Sequence, residues 1–124
     1  MQSGDDLVVS GARVQVVGGQ HAIIHADIPR IDNVGYLIAD RLLHPGDSLT
    51  VPDQPVDVLC LPTSAPWLKA AEAIDYLRSV GPRVVVPIHE AQLAMPQLYY
   101  RLFEQLAPPG TELRVIDGGE PTEL

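Results

Sequence analysis

The sequence predicts an α/β fold, and two observations carry that expectation. Before Val56 the chain is written entirely in short apolar runs and turn residues. After it, continuous apolar runs alternate with segments of helical periodicity, in the order strand, helix, strand, helix, strand. In the first half, Arg13-Val14-Gln15-Val16 alternates polar and apolar between Gly11 and Gly18-Gly19, the pattern of a half-buried strand bounded by turns. His21-Ala22-Ile23-Ile24-His25 reads as the next strand. Gly35 to Leu43 reads as a hairpin turning near Asp40-Arg41, and Gly46 opens a loop that runs through Pro52 and Pro55.

In the second half, Val56-Asp57-Val58-Leu59-Cys60-Leu61 is nearly continuous in apolar residues, as suits a strand buried on both faces. Pro66 fits the first turn of a helix, with Thr63 or Ser64 upstream as cap. Trp67, Ala70, Ala71, Ile74 and Leu77 then recur at helical spacing until Gly81-Pro82 stops them. Arg83 to Ile88 is a second buried strand. Pro96 to Leu106 is a second amphipathic helix, with Leu98, Leu102, Phe103 and Leu106 on related faces, ended by Pro108-Pro109-Gly110. Leu113-Arg114-Val115-Ile116 closes as a last strand.

Composition narrows the functional classes. The 124 residues make one domain, 1–124, with a single core expected. One Trp, four Tyr and one Phe leave that core to be built from Val, Leu, Ile and Ala. Sixteen acids against eight bases, a net charge of −8, with no Lys/Arg cluster, argue against a nucleic-acid or anionic-membrane partner. The lone Cys60 lies inside an apolar run and has no partner for an internal disulfide, as expected of a core residue in a reducing compartment. No run approaches the ~20 apolar residues of a membrane span. The polar, acidic N-terminus is unlike a secretory leader, so cytoplasmic residence is the expectation.

Two sites are chemically pointed. His44-Pro45-Gly46-Asp47 places an acid on a Pro-Gly turn after an apolar hairpin, and Pro87-Ile88-His89 places an imidazole directly after the β-branched run Val84-Val85-Val86. A carboxylate and a neutral imidazole are ligands that a hydrolytic Zn²⁺ site uses. Taken alone, Pro-Gly-Asp is ordinary turn chemistry, and a histidine at a strand end is as readily a plain polar residue.

The order and spacing of these motifs change that balance. His21-Ala22 after Gly-Gly, Asn33-Val34-Gly35-Tyr36, His44-Pro45-Gly46-Asp47, Leu61-Pro62 leading to Ala65-Pro66-Trp67-Leu68-Lys69, and Pro87-Ile88-His89 together resemble the C-terminal half of a metallo-β-lactamase-fold metal-dependent hydrolase. The resemblance implies half of an αββα sandwich: a mixed sheet with helices packed on one face and metals held by loops at one edge. It implies roles as well. His21 would complete one metal site, Asp47 would bridge two Zn²⁺ ions as the catalytic carboxylate, and His89 would complete the second site. His44, Trp67 and Lys69 would stand behind the ligands or against substrate. By ordinary preference, though, His44 is a turn residue, Trp67 a packing anchor and Lys69 a solvated side chain. His25 reads as a strand-face residue, and Asp27 and Asp40 as turn residues.

The family's histidine-rich first motif is absent from these residues. Each site is left with one histidine and a shared carboxylate, short of the three protein ligands usual for catalytic Zn²⁺. The expectation is weak Zn²⁺ binding by the isolated chain, with a fragment, a natural truncation or a partner accounting for the rest. A small-molecule hydrolase is the leading reading. A non-catalytic structural or interaction module derived from the fold is its rival, and a generic α/β binding domain, in which His21, Asp47 and His89 lie far apart, is the third. A homo-oligomer or a complementary half-domain is the expected partner, covering an apolar sheet face formed by Val14, Val16, Leu37 and Val58.

Overall fold

Seven strands and two helices follow one another in the computed structural model, which describes residues 1–124: β1 (Asp6–Val9), β2 (Ala12–Gln20), β3 (Asp32–Ile38), β4 (Leu42–His44), β5 (Val58–Pro62), α1 (Ala70–Val80), β6 (Val84–Ile88), α2 (Pro96–Leu106) and β7 (Glu112–Leu113). All the strands join one mixed sheet in chain order. β1 to β4 pair antiparallel in turn, and β4 to β7 pair parallel; the crossover from β4 to β5 is the loop 45–57, and those from β5 to β6 and from β6 to β7 contain α1 and α2.

Both helices pack on one face of the sheet. Ala73, Ile74, Tyr76 and Leu77 of α1 and Phe103 of α2 form one cluster with Leu37, Leu43, Leu59, Leu61 and Val85. The other face of β5 and β6 carries Val58, Val84 and Val86, against which Leu42 and Leu124 pack. The Arg41 guanidinium donates to the Leu124 carbonyl, and Arg114 Nη1 donates to the Glu123 carbonyl at 2.6 Å, which keeps the tail over these valines. The core is thus divided between two faces. Cys60, in register with Val86, is half-buried and free, and burial pushes its thiol pKa up. No helix is long and apolar enough to cross a membrane.

Several sequence expectations are corrected. Residues 21–25 are not a strand. β2 runs on through Gly18-Gly19 to Gln20, which pairs with Asp32, and the chain then loops out and returns where His21 N donates to the Ile31 carbonyl at 2.9 Å. Helix α1 starts at Ala70, because Pro66-Trp67 form a separate turn and the Lys69 N–H is taken by Glu72 Oε1 at 2.9 Å; Thr63 and Ser64 are not its caps. Its end is as expected, with Gly81 left-handed (φ 60°) and donating to the Leu77 carbonyl. The last strand stops at Leu113, and β1 was not anticipated.

The expected apolar face is not exposed either. Of its four residues Val14 is half-buried, and Val16, Leu37 and Val58 are 2%, 1% and 0% accessible. Leu37 faces the helices, Val58 lies under Leu124, and the backbone of Val16 is bonded to Gly4 and Asp5. Exposed apolar side chains sit elsewhere: Ile23, Ile24, Ile28 and Ile31 in the 21–31 loop, and Met95, Leu98, Leu102 and Leu106 along α2.

Candidate metal centre

Strand direction assembles the site. β2 is antiparallel to β3 and β3 to β4, so β2 and β4 run the same way, and β5 and β6 are parallel to β4. The C-terminal ends of these four strands therefore share one edge, where open α/β sheets collect their functional loops. His21 follows β2, Asp47 follows β4, Ser64 to Trp67 follow β5, and His89 follows β6. β3 runs oppositely, so its first residues, including Asn33, lie at the same edge.

There the three sequence-predicted ligands meet. Asp47 Oδ2 lies 3.4 Å from His21 Nε2, and Asp47 Oδ1 lies 3.1 Å from His89 Nε2. One carboxylate thus spans two imidazoles, one through each oxygen. The His21 side chain is 13% accessible, and those of Asp47 and His89 about two-fifths. Nowhere do three His, Cys, Asp or Glu side chains surround a single ion position, so each gap in this linked trio has two protein donors.

The backbone holds each member. His21 Nδ1 lies 2.6 Å from the Ala22 carbonyl, which can only accept, so Nδ1 carries the hydrogen. In the neutral ring Nε2 is then an acceptor aimed at Asp47, itself an acceptor. Either a second proton on the ring or a cation between the two groups would satisfy that pair of lone pairs. Ala22 N–H donates to the Asp47 carbonyl at 2.8 Å, tying the two loops together. His89 sits at φ 56°, a left-handed backbone uncommon for a side-chain-bearing residue, and its carbonyl accepts from Ser64 N at 3.1 Å. Next to it, the Tyr100 hydroxyl donates to Glu90 Oε2. Burial first, then that hydrogen bond and the charges of Glu90 and Asp117, push the Tyr100 phenol up to about 12.

A shallow cleft of about 270 Å³ opens beside Asp47 and His89, lined also by Ser64, Ala65, Pro66, Trp67, Ala91 and Gln92. Trp67 forms one wall, and its ring meets His21 edge to face at 6.0 Å between centroids. Lys69 is exposed at the start of α1 and does not line the cleft. His44 is exposed and accepts from Gly46 N at 3.2 Å, organising its own turn. His25 accepts from Asp27 N at 3.0 Å in the 21–31 loop. Asn33, in the Asn33-Val34-Gly35-Tyr36 motif, is a polar residue with no ligand chemistry of its own, yet it contacts the Asp47 turn twice. Nor did any local pattern announce the Glu90–Tyr100 pair, because its partners lie on either side of the turn that precedes α2.

Known proteins share the fold and part of the sequence. The chain is 52% identical over 96 residues to protein Rv0786c of Mycobacterium tuberculosis, an alignment that covers 73% of this chain and 45% of that protein. Its fold matches a Parabacteroides distasonis protein classed with the metal-dependent hydrolases (TM-score 0.68, 18% identity, 93% of this chain and 56% of the other). It also matches Igni18, a metallo hydrolase of the archaeon Ignicoccus hospitalis (TM-score 0.67, 18% identity, 97% and 57%). At that identity the likeness is one of fold, and the chain spans about half the length of each of these proteins. The family model of the β-lactamase superfamily domain matches residues 1–89, a span that contains His21, Asp47 and His89. The chain therefore belongs to the β-lactamase superfamily domain family and carries the α/β architecture of the metallo-β-lactamase fold.

Proposed function

We propose that this chain contributes half of the dinuclear metal centre of a metal-dependent hydrolase acting on a small molecule, with Asp47 as the bridging carboxylate and His21 and His89 as terminal ligands. The observation that carries the reading is that Asp47 presents one oxygen to each imidazole, while the Nδ1–H of His21 is committed to the Ala22 carbonyl and, in the neutral ring, leaves Nε2 free to ligate. The donor set, two imidazoles and a carboxylate, fits Zn²⁺. A bound divalent ion would supply Lewis acidity and a water acidic enough to attack near neutral pH.

The residues of this chain have their own tasks. Asp47 is the one carboxylate on the cleft wall and orients whatever proton donor enters beside His89. Ala22 fixes the ring of His21 and the turn of Asp47 together, so the two donors move as a unit. Trp67 walls off one side of the cleft from water and keeps His21 from rotating away. The remaining ligands would come from a complementary half-domain or a second copy of the chain, since two donors per ion fall short of three. The unpaired, half-buried Cys60 favours a cytoplasmic setting.

A second reading, an interaction module that kept the fold and lost the chemistry, is favoured by that same short ligand count. Calorimetric titration of metal-free protein with Zn²⁺ decides between them, with Asp47→Asn and His89→Ala as variants and the mass in solution measured alongside. Weak binding lost in either variant is expected. Tight binding that survives both substitutions would mean the ligands are elsewhere, and no binding at all in any oligomeric form would favour the module.

A further inference from the structure

Asn33 holds the Asp47 turn with both ends of its carboxamide. Its Nδ2 donates to the Pro45 carbonyl at 3.0 Å, and its Oδ1 accepts from the Asp47 N–H at 3.0 Å. The two contacts land on either side of Gly46, which adopts φ +72°. A Cβ at position 46 would lie 2.5 Å from Asn33 Oδ1 and 2.9 Å from the Val34 carbonyl, so the carboxamide fills the space a side chain would take. The Pro45 carbonyl has a second donor in Ser48 Oγ at 3.2 Å, whereas Asn33 is the one group that receives the Asp47 N–H. On the far side, the Asp47 carbonyl is held by Ala22 N.

We propose that Asn33 is the positioning residue of the centre: it fixes the Pro45–Asp47 turn and so sets the direction in which Asp47 presents one oxygen to each histidine. A carboxamide is required because it alone, at this length, donates to one carbonyl and accepts from one N–H without bringing a second charge beside Asp47. The carboxamide fits only because Gly46 is bare, and the left-handed backbone and the Val34 carbonyl at 2.9 Å require glycine there as well. Groups that orient a metal ligand in this way typically change metal affinity 10- to 100-fold when removed, roughly, without touching the ion.

The inference rests on the metal reading above, and the experiment separates the two. Wild type, Asn33→Ala and Asp47→Asn are titrated with Zn²⁺ and with Co²⁺, whose visible absorption reports ligand geometry. Thermal unfolding and hydrogen exchange at the Asp47 amide are followed in the metal-free proteins. Expected for Asn33→Ala are a cooperative unfolding transition, loss of exchange protection at Asp47, a Zn²⁺ affinity lower by about tenfold or more, and altered Co²⁺ bands. A purely structural role would lower the transition temperature and leave the Co²⁺ spectrum of the folded protein as in wild type, which would overturn the proposal. If Asp47→Asn binds Zn²⁺ like wild type, the metal reading fails. If Asp47→Asn loses binding while Asn33→Ala keeps wild-type affinity and spectrum, the positioning role alone fails. Should Asn33→Ala not fold, exchange in the wild-type protein still decides: an Asp47 amide as unprotected as a free loop amide overturns the clamp.

Discussion

Arg83 grips Asp57 with both arms of its guanidinium, Nε donating to Oδ1 at 2.9 Å and Nη2 to Oδ2 at 3.1 Å, at the edge of the sheet opposite the candidate centre. Arg41 Nε adds a third bond to Oδ2 at 2.8 Å. Asp57 therefore fastens the entrances of β4, β5 and β6 to one another, and its backbone carbonyl accepts from Arg83 N and Val84 N as well.

That cluster predicts acid lability. The hydrogen bond from Arg83 holds the Asp57 carboxyl below its ordinary range, with burial opposing it and Arg41 assisting. A carboxyl depressed in the folded state contributes stability above its unfolded value, roughly 3.9, and loses that contribution as pH falls through the folded value. The urea midpoint should fall between about pH 5 and about pH 2, less steeply in Asp57→Asn. An Asp57→Asn protein with the wild-type pH dependence would refute the assignment.

At the alkaline end, Tyr100 sets a second limit. Its phenol is pushed up to about 12, so the protonated form is favoured on folding; the linked stability is complete below the unfolded value of roughly 10 and fades as pH rises through the folded one. Ultraviolet titration of wild type and Glu90→Gln should show the variant's phenol titrating earlier but still above the ordinary value, because burial is the larger cause. A full return to the ordinary value would make Glu90 the main cause instead.

Glycine at position 35 is a packing requirement. A Cβ there would meet the His44 carbonyl and Pro45 Cα at 2.9 Å each, both backbone atoms that cannot turn aside, whereas one at Gly19 would meet nothing within 4 Å. Gly35→Ala should cost about 1–3 kcal/mol by overpacking β3 against the residues that lead into the Asp47 turn. Gly19→Ala should stay within about 0.5 kcal/mol of wild type. Denaturant titration of the pair tests both values.

Helix α2 buries one side chain fully, with Tyr99 packed partly buried against the same core. Phe103 is fully buried, while Leu98 is half exposed. Phe103→Ala should destabilise the protein by about 3–5 kcal/mol, and Leu98→Gln by no more than about 0.5 kcal/mol. A large loss from Leu98→Gln would mean that another chain covers the outer face of α2 in solution.

Much of the fold was legible locally. Pro96 and Pro108 bound α2 by removing backbone donors, Gly81 ends α1 by accepting the left-handed conformation, and the short apolar runs that begin at Val58 and Val84 suit buried strands. The start of α1 was misread because Pro66 serves a preceding turn as readily as a helix, and residues 21–25 were misread because apolar alternation cannot distinguish a strand from a loop closed on itself at Ile31. By itself the sequence determined the α/β class, the order of elements and the identities of His21, Asp47 and His89 as candidates, since propensity, turn chemistry and motif order are properties of neighbouring residues. Only the tertiary structure decided that these three meet, that Asn33 clamps the turn between them, and that Val58 lies under the tail while the leucines of α2 face water. Those relationships depend on which distant strands exchange hydrogen bonds and in which direction they run, and no local pattern carries that information.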